Sequence, residues 1–140
     1  MTARRIDQGK AVAASRALPS EVNGELRTRY RQLRVMLHTA GLAATYAYIA
    51  SKAKETGDRE DKLARAYQQT RSGIHLCLKD AGLLADSAAT ARDVLDRLGG
   101  MGAVEYARAS AEVAAFISWL SRLADAEWQE DNGRARPTSS

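Results

Sequence analysis

Apolar residues recur at helical intervals along almost the whole chain. Leu26, Tyr30, Leu33 and Leu37 fall at i, i+4, i+7 and i+11, the spacing of one helix face. After a break at Ala40-Gly41, Leu42, Tyr46, Ile49 and Ala53 repeat the same offsets. Two consecutive amphipathic helices are predicted. The first starts between Ser20 and Asn23, both able to cap, and runs to about Thr39; the second follows the Gly41 junction to about Glu55. Upstream, Ile6, Val12, Ala13 and Ala17 give a weaker face to a helix over about Ala3 to Leu18, stopped by Pro19.

Downstream, residues 56–61 (TGDRED) read as a polar loop with Asp58 as a cap. Leu63, Tyr67, Thr70, Ile74 and Cys77 share one face of a helix from about Glu60 to Lys79. Asp86 or Ser87 is placed to cap a short helix ending at Leu98, with Ala91, Val94, Leu95 and Leu98 inward. After the Gly99–Gly102 turn, a last helix over about Ala103 to Glu130 points Val113, Phe116, Leu120 and Leu123 inward, with Ile117, Trp119 and Ala124 widening the face. A face this wide suits a central helix, or one that also meets a partner subunit. Residues 132–140 are expected to form a disordered tail, leaving 1–131 as the helical domain. The expected fold is all-α: a compact single-domain bundle of about six helices, with the last helix central.

Composition supports this reading. With 45% hydrophobic and 27% charged residues, the 140-residue chain has the balance of a globular domain rather than a disordered segment. One Phe and two Trp leave Leu, Ala and Tyr to build the core, which favours closely packed helices. Cys77 is the sole cysteine, so an internal disulfide is excluded and a reducing compartment is expected. Asp7, Gln8 and Lys10 interrupt any secretory apolar segment, and no run of about 18 apolar residues occurs, so the expected location is cytoplasmic with no membrane partner.

Charge changes the picture more. Residues 1–35 hold eight Lys or Arg against three acids, a local net of +5, while the whole chain carries only +4. Arg27, Arg31 and Arg34 each follow an apolar member of the Leu26 face by one residue, and His38 continues the row. A cationic stripe therefore runs beside the buried one, climbing ~10 Å at about 1.5 Å per residue. Guanidinium groups at this spacing suit successive backbone phosphates. The plain alternative is a solvated face with local pairing, such as Glu25 with Arg29. Substituting all three arginines with Glu is expected to abolish nucleic-acid binding without unfolding the domain. Lys52 and Lys54 are weaker phosphate-binding candidates, since cations at a helix end also complement its dipole. Arg4, Arg5, Lys10 and Arg16 are possible additional basic contacts, extending the patch or gripping a neighbouring subunit. Tyr46 lies on the apolar stripe and reads as core, as do Tyr30, Tyr67 and Tyr106. Tyr48 is about 200° away around the helix and is the better surface candidate for base stacking.

Catalytic chemistry finds little support. His38 and His75 sit on different predicted helices, and His75 and Cys77, two residues apart, do not share a helix face. Cys77 reads as core. Asp93 and Asp96 are flanked by Arg92 and Arg97 and read as a solvated charged face. Gly99, Gly100 and Gly102 lack the preceding strand and following Gly-Lys-Ser/Thr of a phosphate loop. No catalytic residue, metal site or cofactor is expected.

Two blocks carry a family resemblance. In the first, Gly41, Leu42, Ala43, Tyr48, Ser51 and Lys52 follow the basic helix; in the second stand Tyr106, Ala107, Ala111, Glu112, Trp119, Leu120, Arg122 and Ala124. Together they resemble the small all-helical subunit of type III-B CRISPR effectors, the Cmr complex, over roughly residues 4–128. The chain departs from the family pattern at Thr39-Ala40, Ser110-Ala111 and Ser121. The resemblance implies a non-catalytic subunit stacked in several copies along an RNA-guided particle, beside backbone and large subunits. It further implies a basic surface lining the channel where target RNA pairs with guide RNA. Two alternatives have other signatures: a protein–protein scaffold without RNA contact, and a small helical DNA-binding or toxin–antitoxin-like regulator.

Overall fold

The computed structural model describes residues 3–53 and 62–135, with side chains described over 8–53 and 62–128. Six helices span the described residues: α1 (Ala3–Ala17), α2 (Gly24–Ala40), α3 (Leu42–Lys52), α4 (Lys62–Asp80), α5 (Ala91–Gly99) and α6 (Ala103–Ala135). The chain is an all-α single-domain bundle, and α6 packs against α1, α2, α3 and α4. Val113, Phe116, Ile117, Leu120 and Ala124 of α6 are completely buried, which puts this helix at the centre, as its wide apolar face implies. It continues to Ala135, past residue 132 where the tail was expected to begin. The loop over 56–61 lies outside the described residues. No helix among the described residues is long and apolar enough to cross a membrane.

Local chemistry sets the helix ends. Asn23 caps α2, its Oδ1 accepting the Leu26 N–H at 2.7 Å. Gly41 both closes α2 and opens α3. Its N–H donates to the Leu37 carbonyl, and its own carbonyl accepts the Thr45 N–H. Its φ of 94° is a conformation that side-chain-bearing residues rarely adopt. Beyond α4, Leu83 N–H reaches the Leu78 carbonyl and Gly82 N–H the Lys79 carbonyl, a Schellman closure with Gly82 at φ 73°.

Thr90 caps α5, where Asp86 or Ser87 was expected. The Thr90 hydroxyl accepts the Asp93 N–H while Asp93 Oδ2 accepts the Thr90 and Ala89 N–H groups. This reciprocal arrangement satisfies more orphan donors than a lone cap would, so the helix starts at Ala91. Those backbone hydrogen bonds hold the Asp93 carboxyl below its ordinary range.

The face of α1 also differs from expectation. Ala14 and Ala17 are buried together with Lys10, whereas Val12 is 49% exposed. The small alanines let α1 approach α4 and α6. Lys10 reaches Glu112 of α6, so its charge is paired while its stem is buried. Gly73 of α4 has a similar spacing role, since a Cβ there would collide with the Phe116 ring of α6.

Candidate nucleic-acid interface

The three arginines of the α2 stripe occupy different environments. Arg27 Nε lies 2.7 Å from Asp125 Oδ1 of α6, and its guanidinium carbon stacks 4.1 Å from the Trp128 ring centroid. Only 20% of its side chain is exposed. Arg31 Nη2 reaches the same Asp125 oxygen at 3.2 Å and remains 51% exposed. Arg34, one turn further, is exposed and makes no ion pair among the described residues. Arg29 pairs with Glu25 at 3.6 Å, the local i, i+4 pairing expected of a solvated face. Arg27 is therefore part of the α2–α6 packing, while Arg31 and Arg34 face outward.

Asp125 balances only one of the two guanidinium charges it meets. Hydrogen bonding from Arg27, with Arg31 close by, holds its carboxyl below the ordinary range. Among the described residues, the outer α2 surface thus keeps an uncompensated positive charge at Arg27–Arg31 and another at Arg34. Val35, 62% exposed, lies between the Arg31 and His38 turns and adds an apolar contact to the same surface.

The remaining basic candidates divide further. Lys52 is exposed at the end of α3, its Nζ 5.6 Å from the Tyr48 ring centroid. Arg16 is exposed on α1. Lys10 is buried on Glu112 and faces the bundle interior. Lys54 and the side chains of Arg4 and Arg5 lie outside the described residues. Tyr48 is half-buried, packed edge-on against Tyr67 with centroids 6.1 Å apart, so much of its ring is unavailable to a nucleobase.

The buried polar groups play structural parts. Tyr46 is fully buried, and its hydroxyl lies 2.6 Å from His75 Nε2. Burial, helped by the Arg71 and Lys79 charges, lowers the His75 pKa and favours the neutral ring. Cys77 is a free, buried thiol that burial pushes up to about 11. Among the described residues, no three His, Cys, Asp or Glu side chains converge to hold a metal ion.

Sequence reasoning missed Asp125 and Trp128, and placed Glu112 in the second block without its pairing to Lys10. Asp125 and Trp128 stand one turn apart on α6, a spacing that puts both on one face, but nothing local says that this face meets α2. The structure also brings the two sequence blocks together. The Tyr106 hydroxyl of α6 accepts the Ala43 N–H in the first turn of α3, at 3.0 Å.

A comparison with curated proteins gave no match. A family model described as CRISPR-associated protein (Cas_Cmr5) matches residues 5–127, a span that contains both blocks and both members of the Arg27–Asp125 pair. This chain therefore belongs to the Cas_Cmr5 family of CRISPR-associated proteins and is a small subunit of the type III-B Cmr complex.

Proposed function

We propose that this chain is a non-catalytic structural subunit that holds RNA in a type III-B ribonucleoprotein, through backbone electrostatics on the outer face of α2. The observation that carries this reading is the pair of outward-facing cations, Arg31 and Arg34, on a helix anchored to the core by Leu26, Tyr30 and Leu33. Arg31 shares its one carboxylate with Arg27, so the row keeps net positive charge. Lys52 and Arg16 are outlying contacts, while Lys10 is withdrawn from the set by its pairing with Glu112.

Phosphate contacts carry no sequence information, which suits a scaffold in a complex where base pairing supplies specificity. The partners in this reading are guide RNA and target RNA, the backbone and large subunits, and further copies of the chain stacked along the particle. The setting is cytoplasmic antiviral defence.

The test is fluorescence anisotropy with a labelled single-stranded RNA at several salt concentrations. Wild-type protein is expected to bind weakly and to lose affinity steeply as salt rises. Arg31→Gln with Arg34→Glu puts no new carboxylate against Asp125 and should abolish binding while leaving the melting curve nearly intact. Arg27 is excluded from this variant, because a carboxylate there would face Asp125 and disturb the packing. Full RNA affinity in the folded double variant would refute the proposed interface, and capture of partner subunits without RNA affinity would favour a protein scaffold.

A further inference from the structure

Arg27 Nε and Arg31 Nη2 converge on a single oxygen, Asp125 Oδ1, at 2.7 and 3.2 Å. The two contacts are not equivalent. Arg27 makes the shorter one and is held from another side by Trp128 at 4.1 Å. Arg31 makes the longer one and is 51% exposed. Trp128 and Asp125 thus fix Arg27, whereas among the described residues Arg31 is held by its share of an oxygen already engaged. A carboxylate oxygen offers a guanidinium the same charge-assisted acceptor as a non-bridging phosphate oxygen.

We propose that Asp125 occupies, in the free chain, the place an RNA phosphate takes beside Arg31 in the bound one. Arg31 is parked on Asp125 and transfers to phosphate when a strand reaches α2, while Arg27 stays on Asp125 and keeps α2 docked on α6. The inference rests on the α2 face being the phosphate contact and adds a regulator to it. Asp125 competes for Arg31, weakening adventitious anion binding. A strand that also engages Arg34 gains enough to displace it.

A double-mutant cycle tests this, with RNA affinity read by anisotropy and folding by circular dichroism melts. Asp125→Asn should tighten RNA binding by about two- to fivefold, the scale of an exposed ion pair. Arg31→Ala should weaken binding, and adding Asp125→Asn to Arg31→Ala should then change little. Equal tightening in both backgrounds would reduce Asp125 to a general charge effect and overturn the proposal. Unchanged or weaker binding by folded Asp125→Asn would overturn it too. If Arg31→Ala and Arg34→Ala both leave affinity intact, the α2 interface itself fails. If they weaken binding while Asp125→Asn is silent, only the competition fails. Should Asp125→Asn not fold, guanidinium NMR of the wild-type chain decides. Titrating in RNA is expected to move the Arg31 resonance and leave that of Arg27 in place, and movement of both or neither contradicts the transfer.

Discussion

The Tyr106 hydroxyl accepts the Ala43 N–H at 3.0 Å, so a residue of α6 satisfies a donor in the first turn of α3. Gly41, the N-cap of α3, has no side chain to do so. Tyr106→Phe removes the acceptor and is expected to lower stability by about 1 kcal/mol, measured by urea denaturation. Gly41→Ala should cost at least as much, because it forces a side chain into φ 94°.

Arg27 and Arg34 belong to one stripe in the sequence but should separate by assay. Arg27→Ala loses the Asp125 hydrogen bond and the Trp128 stack, and is expected to destabilise by about 1–2 kcal/mol. Arg34→Ala touches neither and should stay within about 0.5 kcal/mol of wild type while reducing RNA affinity. Melting curves and RNA binding measured on both variants check the division. Equal stability losses would place Arg34 in the packing as well.

The stripe illustrates what local pattern can and cannot reveal. The faces of α2 to α6 are legible because each buries apolar residues at helical spacing, as Leu42, Tyr46 and Ile49 do in α3. The face of α1 is not. Lys10 counts as polar until Glu112 of α6 is placed beside it, and the contact then runs through Ala14 and Ala17 rather than Val12. The cap of α5 was missed because three candidate cap positions precede it and only Thr90 has an acid placed to reciprocate. In the candidate site, the outward row of Arg31 and Arg34 follows from spacing. The withdrawal of Arg27 depends on Asp125, far along the chain, and on the docking of α2 against α6.

Gly73 sets the approach of α4 to α6, because any side chain there meets the fully buried Phe116 ring. Gly73→Ala gains about 1 kcal/mol of helix propensity. Overpacking against the ring costs about 1–3 kcal/mol, which should leave a net loss of up to about 2 kcal/mol. A smaller partner tests the cause: Phe116→Leu combined with Gly73→Ala should lose less stability than the two changes added separately.

Cys77 should be inert in the native state. Burial pushes its thiol up to about 11, so little thiolate forms at neutral pH, and the sulfur is enclosed. Iodoacetamide at pH 8 is expected to modify it only after denaturation, followed by mass spectrometry. Rapid native labelling would show that α4 opens from its neighbours.

His75 gives the bundle an acid sensitivity whose direction is fixed by its surroundings. Burial first, then the Arg71 and Lys79 charges, lower its folded pKa below the 6.5 of an unperturbed histidine, while Asp93 opposes the shift. The neutral ring can accept the Tyr46 hydroxyl at Nε2, 2.6 Å away; protonation would put a proton on that nitrogen and end the bond in this form. The unfolded chain, with an ordinary histidine, therefore binds more protons than the native one as pH falls below about 6.5. Stability should be fully present above that value and decline towards the folded pKa, below which this contribution levels off. Urea denaturation at a series of pH values between 7.5 and 5 checks the slope. His75→Gln should flatten it, and NMR titration of His75 in the folded chain should give a midpoint below 6.5. A midpoint at or above 6.5 would mean that the Tyr46 contact favours the imidazolium, and the slope would vanish or reverse.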